Sequence, residues 1–288
     1  MHEILENFGA GQRILDLGSG AGSFPSDFGP FTAIRADLDP PSRPAQNFAQ
    51  ADAARLPFRD RAFDAVISNH SLEHFHDLSG SLAEIGRVLK PTGALYVAVP
   101  DASTFGDRLY RWLTWGGGHV NQFVSASELA ATIERATHLR HVETRTLFAS
   151  LSFLNSRNFR VCRPKRHLLA GNGTELSLHL FTWFARLSDR LFGTRISAYG
   201  WALYFGSFPV PIDSDIWSNV CIRCGSGAQS EWLRHVKLVR RRFFPPGLFL
   251  QVYKCPTCGA TNLFFEDRYY RRFTDARVKR SDKPQGYN

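Results

Sequence analysis

The chain has 288 residues, of which 43% are hydrophobic and 21% are charged. This length and composition are typical of a globular protein with one large domain and appendages, or with two domains, and they exclude a fibrous or wholly disordered chain. The sequence holds no long uninterrupted apolar run and no basic segment leading into an apolar one at its N-terminus. We therefore expect neither a membrane-spanning helix nor a signal peptide, and predict a cytoplasmic protein for which peripheral membrane contact is left open.

The formal net charge of +9 is concentrated in one part of the chain. Residues 1–220 carry 21 Lys and Arg against 21 Asp and Glu, whereas residues 221–288 carry 14 against 5. A basic C-terminal region can contact nucleic acid, anionic lipid or an acidic partner, or it can simply aid solubility.

The first strongly patterned stretch is residues 13–22. Arg13 to Leu17 is an apolar run that contains one carboxylate, Asp16, and Gly18, Ser19 and Gly20 follow it. This pattern predicts a buried parallel strand that feeds a tight turn. Glycines permit positive φ and let the backbone approach a ligand closely, so the turn is a candidate binding loop.

Three more predicted strands end in polar residues. Strands at about 32–37, 47–51 and 63–68 lead into Asp37-Leu38, Asp52-Ala53 and Asn69-His70. In open parallel sheets ligands bind outside the carboxyl ends of the strands, so these residues are expected to share one edge. Prolines at 25, 30, 40, 41 and 44 leave room for only a turn or two of helix between the first strands.

The chain then alternates helix and strand. The pattern of residues 79–89 predicts an amphipathic helix, and that of residues 94–99 predicts a buried strand. Ser125 or Ser127 is predicted to cap another helix, and a last strand pair is expected at 140–150. The segment from 100 to about 125 is irregular and contains His119. This alternation predicts an α/β fold with a doubly wound, Rossmann-like sheet.

Two further stretches are Leu72-Glu73-His74 and residues 84–93, Glu-Ile-Gly-Arg-Val-Leu-Lys-Pro-Thr-Gly. With the glycine turn, they resemble the class I S-adenosylmethionine-dependent methyltransferases, in particular the type-11 group, over residues 12 to 140. The resemblance implies a seven-stranded sheet and S-adenosyl-L-methionine as cofactor. Asp37 would accept the ribose hydroxyls, with Asp39 as the alternative, and Asp52-Ala53 would hold the adenine. The implied cofactor-binding residues are Asp16, Gly18, Ser19, Gly20, Asp37, Leu38, Asp52, Ala53, Asn69 and His70.

Three histidines are candidate catalytic bases. His70 and His74 adjoin the expected position of the transferred methyl group, and His119 lies on the following loop. A base is needed only if the acceptor must lose a proton early, and each histidine could equally have a packing role.

Residues 151–215 predict an apolar helical region. One helical face carries the apolar residues between Leu176 and Phe192. The charged residues Arg186, Asp189 and Arg190 lie on the opposite face, and an aromatic cluster follows at 199–205. The region is either a helical cover packed on the sheet, or a groove or membrane contact for an apolar acceptor.

Four of the five cysteines form two Cys-x-x-Cys-Gly motifs, at Cys221/Cys224 and Cys255/Cys258. Two such turns supply the four thiolates that a structural zinc ion prefers, and the stretch between them predicts a β-hairpin, as in a zinc ribbon. A redox-active dithiol is the alternative. We therefore divide the chain into a methyltransferase domain at 1–150, a cover or acceptor region at 151–215, a zinc ribbon at 216–265 and a basic, disordered tail at 266–288.

The predicted function is methyl transfer to a small-molecule, sugar or lipid-linked acceptor. The alternatives are an RNA or ribosome-associated methyltransferase that binds through the basic ribbon, and a methyltransferase-like protein that binds cofactor or a partner without turnover. The sequence does not determine the acceptor atom or the oligomeric state.

Overall fold

The computed structural model describes residues 2–5, 7–20, 22–24, 27–41, 47–113, 119–148, 175–208, 217–221, 227–229, 250–255, 259 and 261–265. The chain divides into two compact units. The first comprises 1–103, 117–145 and 200–214, and the second comprises 104–116, 146–199 and 215–288.

The first unit is built on a mostly parallel sheet. After a short helix α1 (His2–Leu5), its strands are β1 (Arg13–Leu17), β2 (Thr32–Asp37), β3 (Phe48–Gln50), β4 (Phe63–Asn69), β5 (Leu89–Pro100), β6 (His141–Phe148) and β7 (Ala198–Gly206). They lie in the order β3-β2-β1-β4-β5-β7-β6. The pairs among β1 to β5 are parallel, while β7 runs antiparallel to β5. The order reverses between β1 and β4, so the carboxyl ends of these strands flank a topological switch point, where such sheets bind ligands.

Helix α2 (Leu78–Val88) covers the sheet because Leu82, Ile85 and Val88 recur at helical spacing and are buried. Asp77 caps its start by accepting a hydrogen bond from the Gly80 N–H. The expected helix and strand boundaries of residues 1–100 are largely confirmed, except that β5 begins at Leu89 and no helix forms in the described residues between 22 and 41.

The charged residues Glu84 and Arg87 of α2 have a structural role, because Arg87 connects the helix to the loop that precedes β4. Its guanidinium donates to both Glu84 carboxylate oxygens, to Asp60 Oδ1 and to the carbonyls of Leu56 and Phe58, at 2.7–3.1 Å. The Glu84 hydrogen bonds raise the pKa of Arg87, and those from Arg87 lower the pKa of Glu84. The loop that carries Asp52 is thereby anchored to the helix.

Helix α3 (Phe105–Leu113) belongs to the second unit, and helix α4 (Ala126–Thr137) to the first. Ser125 caps α4 by accepting from the Glu128 N–H at 3.3 Å, as one of the two predicted caps requires. Gly86 of α2 faces α4 closely: a Cβ there would lie 2.9 Å from Thr137 Cα. The small residue therefore permits close packing of the two helices.

The second unit combines helix α5 (Glu175–Phe192) with short strands. Residues 146–148 of β6 pair in parallel with β8 (Trp217–Val220), which pairs antiparallel with β9 (Gly227–Gln229). A separate antiparallel hairpin is formed by β10 (Leu250–Lys254) and β11 (Thr261–Phe265). Arg186 donates to Asn219 Oδ1 at 2.7 Å and Asn219 donates to the Tyr253 hydroxyl at 2.8 Å, so buried polar side chains join α5, β8 and β10.

Three sequence predictions within residues 140–215 are wrong. The described residues 140–148 form one strand, β6, and not a strand pair. Ala198–Gly206 is strand β7 of the main sheet and not part of a helical cover. The face of α5 is also different from the one expected. Arg186 and Asp189 are 1% and 2% exposed, whereas Phe184, Leu191 and Phe192 are mostly exposed.

The inward orientation of these charged residues follows from their hydrogen bonds. Asp189 accepts from the Thr194 hydroxyl, from the backbone N–H groups of Ile196 and Ser197, and from the Ser197 hydroxyl. Arg186 packs over the Phe148 ring at 5.1 Å. A buried charge is tolerated when it is satisfied in this way, so the polar face of the helix can pack inward.

Among the described residues, no helix has both the length and the apolar character needed to cross a bilayer.

Candidate functional site

The glycine turn after β1 adopts the conformation that the sequence predicts. Gly18 and Gly20 have φ of 67° and 50°, in the left-handed region that favours glycine. A Cβ on Gly18 would collide with the side chain of Ser71, so this position also requires a residue without a side chain. Around Gly20 no atom of the described residues beyond its chain neighbours lies within 4 Å of the Cβ position, which leaves space for a ligand beside the backbone.

Ser68 and Ser71 support the turn from the β4 side. Their hydroxyls are 2.7 Å apart, both residues are buried, and Ser71 Oγ donates to the Leu17 carbonyl at 3.0 Å. This link between the ends of β1 and β4 was not among the sequence predictions. In the sequence, this link is indicated only by the small hydroxyl residues that follow an apolar strand, and many turns have such residues.

Asp16 is fully buried and has a structural environment. Its carboxylate accepts from the Ser23 N–H at 2.8 Å and from Ser23 Oγ at 2.6 Å, which holds the segment after the glycine turn. Burial raises the pKa of the Asp16 carboxyl, while the Ser23 hydrogen bonds lower it. Ser19 differs, because its hydroxyl is buried and has no hydrogen-bond partner among the described residues. The Ser19 hydroxyl can therefore donate a hydrogen bond to a ligand or accept one from it.

Asp37 lies directly beside the glycine turn. Its Oδ2 accepts from the Gly20 N–H at 2.7 Å, and its Oδ1 accepts from the Asp39 N–H at 3.1 Å. Each carboxylate oxygen has a second lone pair that remains available for a hydroxyl donor. Leu38 is 61% exposed next to it, and the side chain of Asp39 is also exposed.

Asp52 and Ala53 follow β3 on the same edge. The Ala51 N–H donates to the Asp37 carbonyl at 2.9 Å, which ties the ends of β2 and β3 together. The exposed Asp52 carboxylate accepts from the Ala54 N–H at 2.9 Å and forms a local turn. Ala53 is buried below it.

Asn69 is the last residue of β4, and His70, which follows it, has an unusual backbone conformation. Its φ of 56° is uncommon for a residue with a side chain, and its N–H donates to the Ala98 carbonyl at 2.8 Å. Residues held in such conformations cluster at functional sites. His70 Nδ1 lies 3.7 Å from Oε1 of Glu73.

The structure brings two of the candidate histidines together. The rings of His74 and His119 are 4.9 Å apart and nearly perpendicular. Between them and His70 lies Glu73, which is 2% exposed and was named in a sequence motif but given no role. The burial of Glu73 was missed because a glutamate ordinarily predicts a solvated position.

The cysteine motifs lie in the second unit. Cys221 and Cys255 are buried, and they form no disulfide within the part of the chain that the structure describes. Asn262 on β11 donates to Cys221 Sγ at 3.3 Å, and the Gly259 N–H donates to the Cys255 carbonyl at 2.8 Å with a φ of 70° at Gly259. The first and last residues of the second motif, Cys255 and Gly259, are therefore hydrogen-bonded to each other between β10 and β11, and Cys221 contacts β11. Cys224 and Cys258 lie outside the described residues, as does most of the predicted hairpin between the motifs.

Comparison with known proteins gives a family match over part of the chain. Residues 15–97 match the family described as a methyltransferase domain. The uncharacterized protein YafE of Escherichia coli is 52% identical over 48 residues, covering 17% of this chain and 23% of YafE. The demethylmenaquinone methyltransferase of Renibacterium salmoninarum is 34% identical over 105 residues, covering 33% of this chain and 44% of that enzyme.

A longer but weaker match is to the ubiquinone/menaquinone biosynthesis C-methyltransferase UbiE of Haemophilus ducreyi. It is 28% identical over 169 residues and covers 50% of this chain and 64% of UbiE. The chain thus spans less than two thirds of the length of these curated relatives. Among solved structures, YcgJ of Bacillus subtilis aligns with a TM-score of 0.45 and 21% identity, covering 70% of this chain and 95% of YcgJ.

Proposed function

We propose that this chain, which carries a methyltransferase domain at residues 15–97, is an S-adenosylmethionine-dependent methyltransferase. The domain match and the relatives named as methyltransferases support this class. The observation that carries the proposal is the contact between the glycine turn and the β2 carboxylate, the Gly20 N–H to Asp37 Oδ2 bond of 2.7 Å. This contact places an open backbone turn beside a carboxylate that can accept hydrogen bonds from hydroxyl groups, at the switch point of the sheet.

We assign the cofactor's parts to residues at this edge. Gly18, Ser19 and Gly20 would face its amino-acid portion, with the unpaired Ser19 hydroxyl as a polar contact. Asp37 would accept the ribose hydroxyls. A larger set would contact the adenine and the sulfonium: Leu38, Asp52, Ala53, Asn69 and His70. Asp16 would act indirectly, because its carboxylate is already used to hold Ser23.

The chemistry is an in-line displacement. A lone pair on the acceptor attacks the methyl carbon while the carbon–sulfur bond breaks, and its electron pair stays on sulfur to give S-adenosylhomocysteine. The sulfonium is already a good leaving group, so the protein contributes mainly by positioning the reactants. Where the acceptor carries a proton, His70, His74 or His119 is a candidate to receive it.

We propose a small-molecule acceptor with a substantial apolar part, which includes lipid-linked and quinone-like molecules. The relatives named demethylmenaquinone methyltransferase support an acceptor of this kind. The second unit adds an apolar surface: Phe184, Leu191 and Phe192 on α5 are 62–77% exposed. Apolar burial favours such acceptors and depends little on salt.

Nucleic acid is the competing acceptor class, on account of the charge of residues 221–288. The two classes differ in a measurable way. Binding through phosphate contacts releases counterions and weakens steeply as salt rises, whereas apolar binding does not.

We further propose a structural zinc ion bound by Cys221, Cys224, Cys255 and Cys258. The buried, reduced thiols of Cys221 and Cys255 and the positive φ at Gly259 fit such a site. Four thiolates leave no open coordination position, so this zinc would stabilise the second unit and take no part in methyl transfer.

The experiment that tests the acceptor proposal uses S-adenosylmethionine labelled in its methyl group. The full chain is incubated with a small-molecule and lipid extract and, separately, with total RNA, at about 50 and 200 mM salt. We expect label in the extract, with little change between the two salt concentrations. Labelled RNA whose yield collapses at the higher salt would contradict the proposed acceptor while leaving the methyltransferase proposal intact.

A further inference from the structure

Glu73 is a buried carboxylate whose hydrogen bonds the described residues do not fully satisfy. Its side chain is 2% exposed, and its Oε2 has no hydrogen-bond partner among the described residues. Its other oxygen lies 3.7 Å from His70 Nδ1, which is longer than a hydrogen bond. A buried carboxylate in such surroundings is stable only if a cation or a strong donor compensates for the lost hydration.

Two imidazoles accompany this carboxylate. One ligand atom from each of Glu73, His74 and His119 lies within 4.8 Å of the others. Two imidazole nitrogens and one carboxylate oxygen are a common donor set for zinc and other divalent transition metals. Metal–ligand bonds of about 2.0–2.2 Å require the three donors to be within roughly 4 Å of one another, so small side-chain rotations suffice.

The backbone fixes the two halves of this cluster to each other. The Glu73 carbonyl accepts from the N–H groups of Val120 and Asn121 at 2.8 and 3.0 Å. The Asn121 side-chain amide donates to the carbonyls of Leu72 and Phe75 at 2.9 and 2.7 Å. Four hydrogen bonds therefore hold residues 119–121 against the turn that carries Glu73 and His74. Donors that are pre-positioned in this way lose less conformational entropy on binding an ion.

We propose that Glu73, His74 and His119 bind a divalent transition-metal cation. Of the three candidate bases, His70 is then the one left to receive a proton, since an imidazole nitrogen bound to a metal has no lone pair for it. Three protein ligands leave at least one open coordination position, unlike the four-cysteine site. The cluster follows the carboxyl end of β4, the edge assigned above to the cofactor, so the open position suits an oxygen of the acceptor, such as a phenol or enol. This role for the cation rests on the proposed methyl transfer, whereas cation binding itself does not.

The test uses the full chain, first loaded with one equivalent of zinc to occupy the thiolates and then titrated with Co²⁺. We expect one equivalent of cobalt to bind, with weak visible absorption and without the intense sulfur-to-cobalt charge-transfer band of a thiolate site. His119→Ala and Glu73→Gln should weaken cobalt binding by at least about tenfold, since even loss of outer-shell partners costs that much.

His76→Ala is the matched control, because His76 is exposed, lies two residues from His74 and is outside the cluster. It should bind cobalt like the unaltered chain. The half-buried His119 can be truncated without opening the core, and thermal unfolding checks that each variant is folded. The proposal is overturned if the unaltered chain binds no cobalt, if His119→Ala binds it equally well, or if the bound cobalt shows the thiolate band. Calorimetry with S-adenosylmethionine on the same samples separates these outcomes from failure of the cofactor proposal.

Discussion

Replacing Asp37 with alanine tests the cofactor assignment most sharply, because two carboxylates compete for the role. Asp37→Ala removes the acceptor of the Gly20 N–H and the two lone pairs assigned to the ribose hydroxyls. A hydrogen bond to a charged group contributes about 1.5–3 kcal/mol. The dissociation constant for S-adenosylmethionine should therefore rise about 10- to 150-fold in calorimetric titration.

Asp39→Ala is the matched control. The Asp39 side chain is exposed, and the bond that joins it to Asp37 comes from its backbone N–H, which the substitution retains. Affinity should change by no more than about twofold, as for most surface substitutions. Asp37→Asn keeps an oxygen for Gly20 and should give an intermediate loss. If Asp39→Ala weakens binding while Asp37→Ala leaves it unchanged, the ribose assignment is wrong.

Three further predictions concern stability and metal. Arg87→Ala should lower the free energy of unfolding by roughly 2–3 kcal/mol in urea denaturation, because several charge-assisted bonds to the 56–60 loop are lost; an unchanged midpoint would contradict this. Gly18→Ala should lower the free energy of unfolding by about 1–3 kcal/mol through the clash with Ser71, whereas Gly106→Ala should not, because no other side chain of the described residues lies within 4 Å of its Cβ position. We expect elemental analysis of the unaltered chain to find zinc bound to the four thiolates, and Cys255→Ser should abolish that zinc; zinc-free unaltered protein would refute the site.

The sequence predicted the first hundred residues well because their signals are local. Strand β1 is apolar and ends at a glycine turn, and α2 shows a helical apolar period after a capping aspartate. Residues at the carboxyl ends of parallel strands share one edge by geometry, so the predicted positions of Asp37, Asp52 and Asn69 required no knowledge of distant contacts.

The errors arose where distant contacts decide. Ala198–Gly206 pairs antiparallel with β5, a partner about a hundred residues earlier, and nothing in its own aromatic pattern specifies that pairing. Arg186 and Asp189 lie inward on α5 because Asn219 and Ser197 satisfy them, whereas amphipathic patterning assumes that charges face water. Glu73 escaped notice for the same reason.

The central claim is that this chain transfers methyl groups from S-adenosylmethionine, and the most direct measurement is the formation of S-adenosylhomocysteine. The full chain is incubated with subsaturating S-adenosylmethionine and a small-molecule extract, and the product is quantified by mass spectrometry. We predict product only when both chain and extract are present, and about 10- to 150-fold less with Asp37→Ala, in proportion to its weaker binding. Equal amounts with and without the chain, or with and without the Asp37 carboxylate, would contradict the account.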